Sequence, residues 1–122
     1  MRGALTLAVG LALLSPAGLR AAAVSDAPGA VLRGLDKQSG QTTDLTIRNG
    51  ENAAFGTLSV SVSACRHPSG NAAADAYAHV TITDATGATL FSGWMVASSP
   101  ALSAMDHPRY DVWVDRCIRT DG

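Results

Sequence analysis

The sequence predicts an all-β fold: a small antiparallel sandwich or barrel of five to six short strands, with one short helix between the last two. Three observations carry that expectation. Apolar and polar residues alternate with a period of two in several separate stretches. Gly-rich turn signals punctuate those stretches. Almost no segment shows the 3.6-residue spacing of an amphipathic helix.

Val31 to Leu35 reads as a first strand, and Lys37-Gln38-Ser39-Gly40 as the turn after it. Thr43, Leu45 and Ile47 alternate with Asp44, Thr46 and Arg48, and Asn49-Gly50 closes that strand. Thr57 to Ala64 is the clearest strand, with Leu58, Val60, Val62 and Ala64 on one side and four hydroxyl residues on the other. A loop at His67 to Asn71 follows, and Ala72 to Ala76 extends it or forms one helical turn. Tyr77 to Thr83 turns Ala78, Val80 and Ile82 inward. Asp84-Ala85-Thr86-Gly87 should join it to the next strand as a hairpin. Thr89 to Val96 is apolar on both parities, the pattern of a strand covered on both faces. Ser99-Pro100 suits a helix start, Leu102 and Met105 are spaced to share a helical face, and Pro108 limits the helix. That helix would lie across the sheet as a lid. Tyr110 to Cys117 is the last strand.

The N-terminus reads as an export signal. Met1 and Arg2 are followed by an apolar run from Ala4 to Leu14, a Ser15-Pro16 break and Ala21-Ala22-Ala23. This is the layout of a cleaved secretory leader, with the cut after Ala23. The run is about half the ~20 residues a membrane-spanning helix needs, so no stable membrane anchor is expected after cleavage. The organisation is therefore a signal peptide over 1–23, a flexible leader over 24–30, a single β domain over 31–118 and a tail over 119–122. Removing 23 of 122 residues leaves 99, enough for one small domain. Arg2 and Arg20 leave with the leader, so seven basic side chains face ten acidic ones, a formal charge of −3. A mildly acidic domain with one lysine, Lys37, is a poor binder of nucleic acid or anionic lipid.

Cys65 and Cys117 are the two cysteines of the chain. In an exported protein such a pair reads as a disulfide. With no C-x-x-C motif, a redox enzyme is disfavoured, and Cys65, Cys117, His67 and His107 match no zinc spacing. Unless its strand carries a bulge, each cysteine falls on the face opposite the main core, beside Trp113.

Large side chains gather between Gly93 and Trp113, a run that holds both tryptophans. Ser98 or Ser99 with His107 and Asp111 supplies a hydrolase triad by residue type. No G-x-S-x-G elbow or oxyanion loop accompanies them, and a serine that caps a helix start explains the same residues. Asp111 and Asp115 lie about 13 Å apart along a strand at ~3.3 Å per residue, too far for acid–base work on one bond. The sequence asks for no metal and no cofactor.

Arg33-Gly34-Leu35-Asp36-Lys37, Phe55-Gly56-Thr57-Leu58 running into Cys65, Phe91-Ser92-Gly93-Trp94-Met95, Ala97-Ser98-Ser99-Pro100-Ala101-Leu102, His107-Pro108, Tyr110-Asp111-Val112-Trp113 and Cys117 together resemble the exported alphaproteobacterial proteins catalogued as domain of unknown function 2155. The resemblance runs from about Leu32 to Cys117 and includes both cysteines, which supports their pairing. The chain departs from it in the loop His67 to Ala76, which lacks the usual glutamates, and at Val96, where phenylalanine is usual. The resemblance implies a Gram-negative envelope protein and carries no activity. The expected function is thus a non-catalytic periplasmic β domain that docks onto an unknown envelope protein, with Trp113 as the focus of the surface. The candidate binding surface is Trp113, Trp94, Tyr110, His107 and Asp111, and the alternative is a module for a small ligand or glycan that uses Trp94, Trp113, Tyr110 and His107 around a cleft beside the lid. A serine hydrolase stands third.

Overall fold

The computed structural model describes residues 23–103 and 105–119. The expected signal peptide, apart from Ala23, and tail residues 120–122 lie outside them. Eight strands run in order: β1 (Val24–Ala27), β2 (Gly29–Asp36), β3 (Thr42–Arg48), β4 (Asn52–Phe55), β5 (Leu58–Pro68), β6 (Tyr77–Thr83), β7 (Thr89–Val96) and β8 (Tyr110–Cys117). A 3-10 turn, Pro100–Ser103, interrupts the last connection. All strand pairs are antiparallel. One sheet has the order β1-β5-β6-β7, with β4 also on β5, and the other the order β3-β2-β8. The sheets face each other as a sandwich rather than a closed barrel. Their inner rows, Leu32, Ile47, Val112 and Val114 against Val60, Val62, Val80 and Ile82, form one buried core.

Alternation in β3 and β6, and in β5 as far as Val62, follows the sequence pattern, and Asp84 shapes the expected hairpin. Its Oδ1 accepts the N–H groups of Thr86 and Ala88 and the Thr86 hydroxyl. These bonds, the hydroxyl's foremost, hold the Asp84 carboxyl below the usual carboxylate range.

The segment expected to be a flexible leader is strand. Val24 to Ala27 pairs with Pro68 to Cys65, and Ala30 is fully buried in the core. The segment's small and polar residues carry no strong period-two signal, yet Ala27 and Ala30 are buried. β4 has no period-two signal of its own. It exists because Gly56, at φ 59°, folds Phe55 directly back onto Leu58. β7, expected to be covered on both faces, is the last strand of its sheet. Met95 enters the core, while Leu90 and Trp94 are exposed.

The largest correction concerns the disulfide. Cys65 and Cys117 are bonded, with Cα atoms 5.8 Å apart, but both are buried in the core between the sheets. Each strand carries a bulge. In β5 the register slips between Val62 and Ala64, so Ser63 is the extra residue. In β8 the slip falls opposite Val31 and Leu32, with Asp115 extra. One added residue reverses the face of everything after it. Both cysteines therefore join the inner row, and Trp113 does not lie beside them.

The core also fixes two glycines. A Cβ on Gly34 would stand 2.6 Å from the Phe55 ring, and one on Gly56 would overlap Tyr110. Phe55 and Tyr110 meet edge to face, ring centroids 5.3 Å apart, between these glycines. Gly34→Ala is expected to cost about 1–3 kcal/mol in urea unfolding. Gly93→Ala, whose nearest neighbour is Phe91 at 3.7 Å, should be close to neutral. Equal effects of the two would contradict this packing.

Candidate functional site

Trp94 lies on the outer face of the five-stranded sheet. Its partner across β6 is His79, whose neighbours Ala78 and Val80 point into the core. The indole is 43 % exposed and sits among polar groups. The Arg66 guanidinium carbon stands over it, 5.2 Å from the ring centroid, and His79 meets it edge-on at 5.3 Å. Each flanking group has its own support. Arg66 Nε donates to Asp26 Oδ1 at 3.1 Å, and Ser63 Oγ lies 2.9 Å from His79 Nδ1. The Thr81 and Ser92 hydroxyls, 3.2 Å apart, continue the polar row.

Trp113 and Asp111 occupy the outer face of the other sheet, because Val112 and Val114 between and beyond them point inward. Trp113 is half-buried opposite Arg33, which is held by Asp44 at 3.1 Å. The two tryptophans thus stand on opposite sides of the sandwich, and no single cleft holds both.

Tyr110 is a core residue and His107 a turn residue. The His107 Nδ1 accepts the N–H groups of Arg109 and Tyr110, each at 3.0 Å. Both donors aim at one ring nitrogen, so that nitrogen is unprotonated and the imidazole closes the turn set up by Pro108. Arg109 lies over the Tyr110 ring and grips Asp36 with Nη2 to Oδ2 at 3.0 Å. This bond, with the Gln38 N–H, holds the Asp36 carboxyl below its ordinary range and raises Arg109 above its own. Lys37 Nζ donates to the His107 carbonyl at 2.8 Å. The motifs around Arg33–Lys37, Phe55-Gly56 and His107–Tyr110 therefore converge on one end of the sandwich, where they tie β2 to the start of β8.

Ser98 is claimed by a different carboxylate. Its Oγ donates to Asp75 Oδ2 at 2.7 Å and its N–H to Asp75 Oδ1 at 3.0 Å, with the Ala76 N–H on the same oxygen. Partial burial alone would raise the Asp75 pKa, but the Ser98 hydroxyl and the two N–H groups outweigh it and leave the value lowered. Ser99 donates its N–H to Val96 O at 3.0 Å. Ser98, His107 and Asp111 consequently do not assemble into a triad. Asp75 and Ser98 instead line an open depression of ≈190 Å³ with Ala72, Ala97, Asp115 and Arg116. Among the described residues no group of three His, Cys, Asp or Glu side chains is placed to hold a metal ion.

The short helix expected from Ser99-Pro100 is a single 3-10 turn, closed by the Leu102 N–H on Ser99 O. It is tied to β7, where the Ser103 hydroxyl donates to Trp94 O at 2.6 Å. Leu102 is 77 % exposed while Met105 is buried, because the chain leaves helical geometry after Ser103 and the expected shared face is lost. Sequence reasoning passed over Arg66, His79 and Asp75. Only their outward parity in β6 and β5, once the Ser63 bulge is known, brings the first two to Trp94.

The family model described as "Uncharacterized protein conserved in bacteria (DUF2155)" matches residues 30–117. A curated relative, Uncharacterized protein RP359 of Rickettsia prowazekii (strain Madrid E), is 31% identical over 88 residues. That match covers 69% of this chain and 57% of the relative, so the chain spans little more than half of the relative's length. No solved structure matches the chain.

The Asp75 anchor generates a pH prediction. A carboxylate whose folded pKa is lowered adds stability that is complete above the unfolded value of ~3.9 and disappears as pH falls through the folded value. Asp75→Asn should therefore melt below wild type at pH 7, and the gap should close on acidification below about pH 4. A gap independent of pH would remove the carboxylate from this role.

Proposed function

We propose, for a chain that belongs to the bacterial family DUF2155, an exported periplasmic β domain of the cell envelope that works by binding rather than by catalysis. One observation carries the reading: Ser98, His107 and Asp36, which by type could do chemistry, are committed to holding the fold, whereas Trp94 is presented. Ser98 is held by Asp75, His107 by two backbone N–H groups and Asp36 by Arg109. Trp94, by contrast, stands on an outer face with Arg66 and His79 fixed around it. Export is supported by the positive start, apolar run and Ala21-Ala22-Ala23 of the N-terminus. A disulfide in the core fits an oxidising compartment.

The partner on this reading is an envelope protein, and Trp94 replaces Trp113 as the focus of its docking surface. The second reading, a small-ligand or glycan module, draws on the same face: a lone indole ringed by a guanidinium, an imidazole and hydroxyls suits a polar ligand better than a broad apolar contact.

The mature protein from a periplasmic fraction should begin at Val24 by N-terminal sequencing. In pull-downs from that fraction, Trp94→Ala should lose partners that wild type and Trp113→Ala retain. Identical recovery by all three would sink the Trp94 surface. Quenching of Trp94 fluorescence by soluble cell-wall fragments, measured in a Trp113→Phe background, would instead favour the glycan reading.

A further inference from the structure

One backbone bond shows which main-chain groups of β7 face away from its sheet. Ala97 N–H donates to Ala76 O at 2.9 Å, so these two residues form a hydrogen-bonded pair. Such pairs alternate along an antiparallel ladder. Met95 with Ala78 is then bonded, while Val96 with Tyr77 and Trp94 with His79 are not. The N–H and C=O groups of Val96, Trp94 and, two further on, Ser92 project off the open edge.

An edge of this kind templates another strand unless something blunts it, and charge or proline is the usual means. β3 carries Asp44 and Arg48, and β8 carries Asp111, Asp115 and Arg116. β7, TLFSGWMV, has neither a charge nor a proline in eight residues. What stands at its edge is the connection that follows. Ser99 N–H donates to Val96 O at 3.0 Å, and Ser103 Oγ donates to Trp94 O at 2.6 Å. Ser99 and the turn Pro100–Ser103 that follows it thus occupy two of the three outward carbonyls, the turn itself only that of Trp94.

We propose that this turn guards a self-complementary edge, and that β7 pairs antiparallel with β7 of a second copy when the turn lifts. The occupant follows from charge. Uncharged β7 meets itself without setting like charges across the pair, as β3 and β8 against themselves would risk. A twofold axis across β7 also brings Leu90 and Trp94 of one copy toward the same residues of the other. They are two of the four large apolar side chains exposed among the described residues, with Val24 and Leu102. The contact is isologous and closed, so it yields a dimer with one continuous sheet.

Replacing Pro100–Ser103 by four glycines keeps the connection's length, removes the Ser103 hydroxyl from Trp94 O and leaves the Ser99 N–H in place. Sedimentation velocity over a concentration series should show self-association roughly three- to tenfold tighter than wild type, the worth of the one guard bond removed. Adding Ser92→Lys should return the variant to monomer, since two lysines then face each other near the axis. Ser103→Ala, a milder change that spares the backbone, should shift association in the same direction. Variants that keep the wild-type CD spectrum yet associate no more than wild type would overturn the proposal. So would a dimer indifferent to Ser92→Lys. Neither result bears on export; Trp94 lies in both contacts, so pull-downs run at concentrations where the wild type is monomeric test its docking face separately.

Discussion

The Cys65–Cys117 bond is the constraint on which the sandwich depends. It joins β5, the strand with most neighbours in one sheet, to β8, an edge of the other, inside the core. A domain of this size buries a modest share of its surface, and its core contains few large side chains. Closing a 52-residue separation can supply about 4 kcal/mol on the chain-entropy account, a large fraction of a small domain's stability. The bond also dictates local geometry. A cysteine at either position reaches its partner only if its strand bulges first, so Ser63 and Asp115 serve the crosslink although neither touches the core.

The same end-to-end economy shows at the other pole. Gly34 and Gly56 leave room for the Phe55–Tyr110 contact, His107 closes the turn into Tyr110, and Arg109 returns to Asp36. Residues that by type suggest chemistry are here fixed by hydrogen bonds to the backbone or to one another. That leaves recognition to the outer faces, where Trp94 and Trp113 point in opposite directions.

Much of the fold was legible in the sequence because period-two alternation is a direct image of a half-buried strand. β3, β5 and β6 carry it cleanly, and the Asp84 hairpin follows from turn chemistry. The misses share a cause: each depends on a partner the local sequence does not name. β1 is strand because β5 offers an edge, and β4 because Gly56 returns the chain. The bulges at Ser63 and Asp115 leave no local mark, so parity put both cysteines on the wrong face. The candidate site suffered most. Residue types near Trp94 were visible one by one, but Arg66 reaches the indole from two strands away, and only a register containing the bulge places it there. Ser98 and His107 were adjacent in type to a triad, yet Asp75 and two backbone N–H groups had prior claim on them.

The pairing of β1 has a consequence for the order of events during biogenesis. Val24 lies opposite Pro68, and the Ser69 N–H donates to the Ala23 carbonyl at 3.1 Å. That carbonyl belongs to the peptide bond between Ala23 and Val24. A peptidase needs such a bond extended and accessible, not zipped into a sheet edge. If, as proposed, a leader is removed at this bond, the cut has to come before β1 docks on β5.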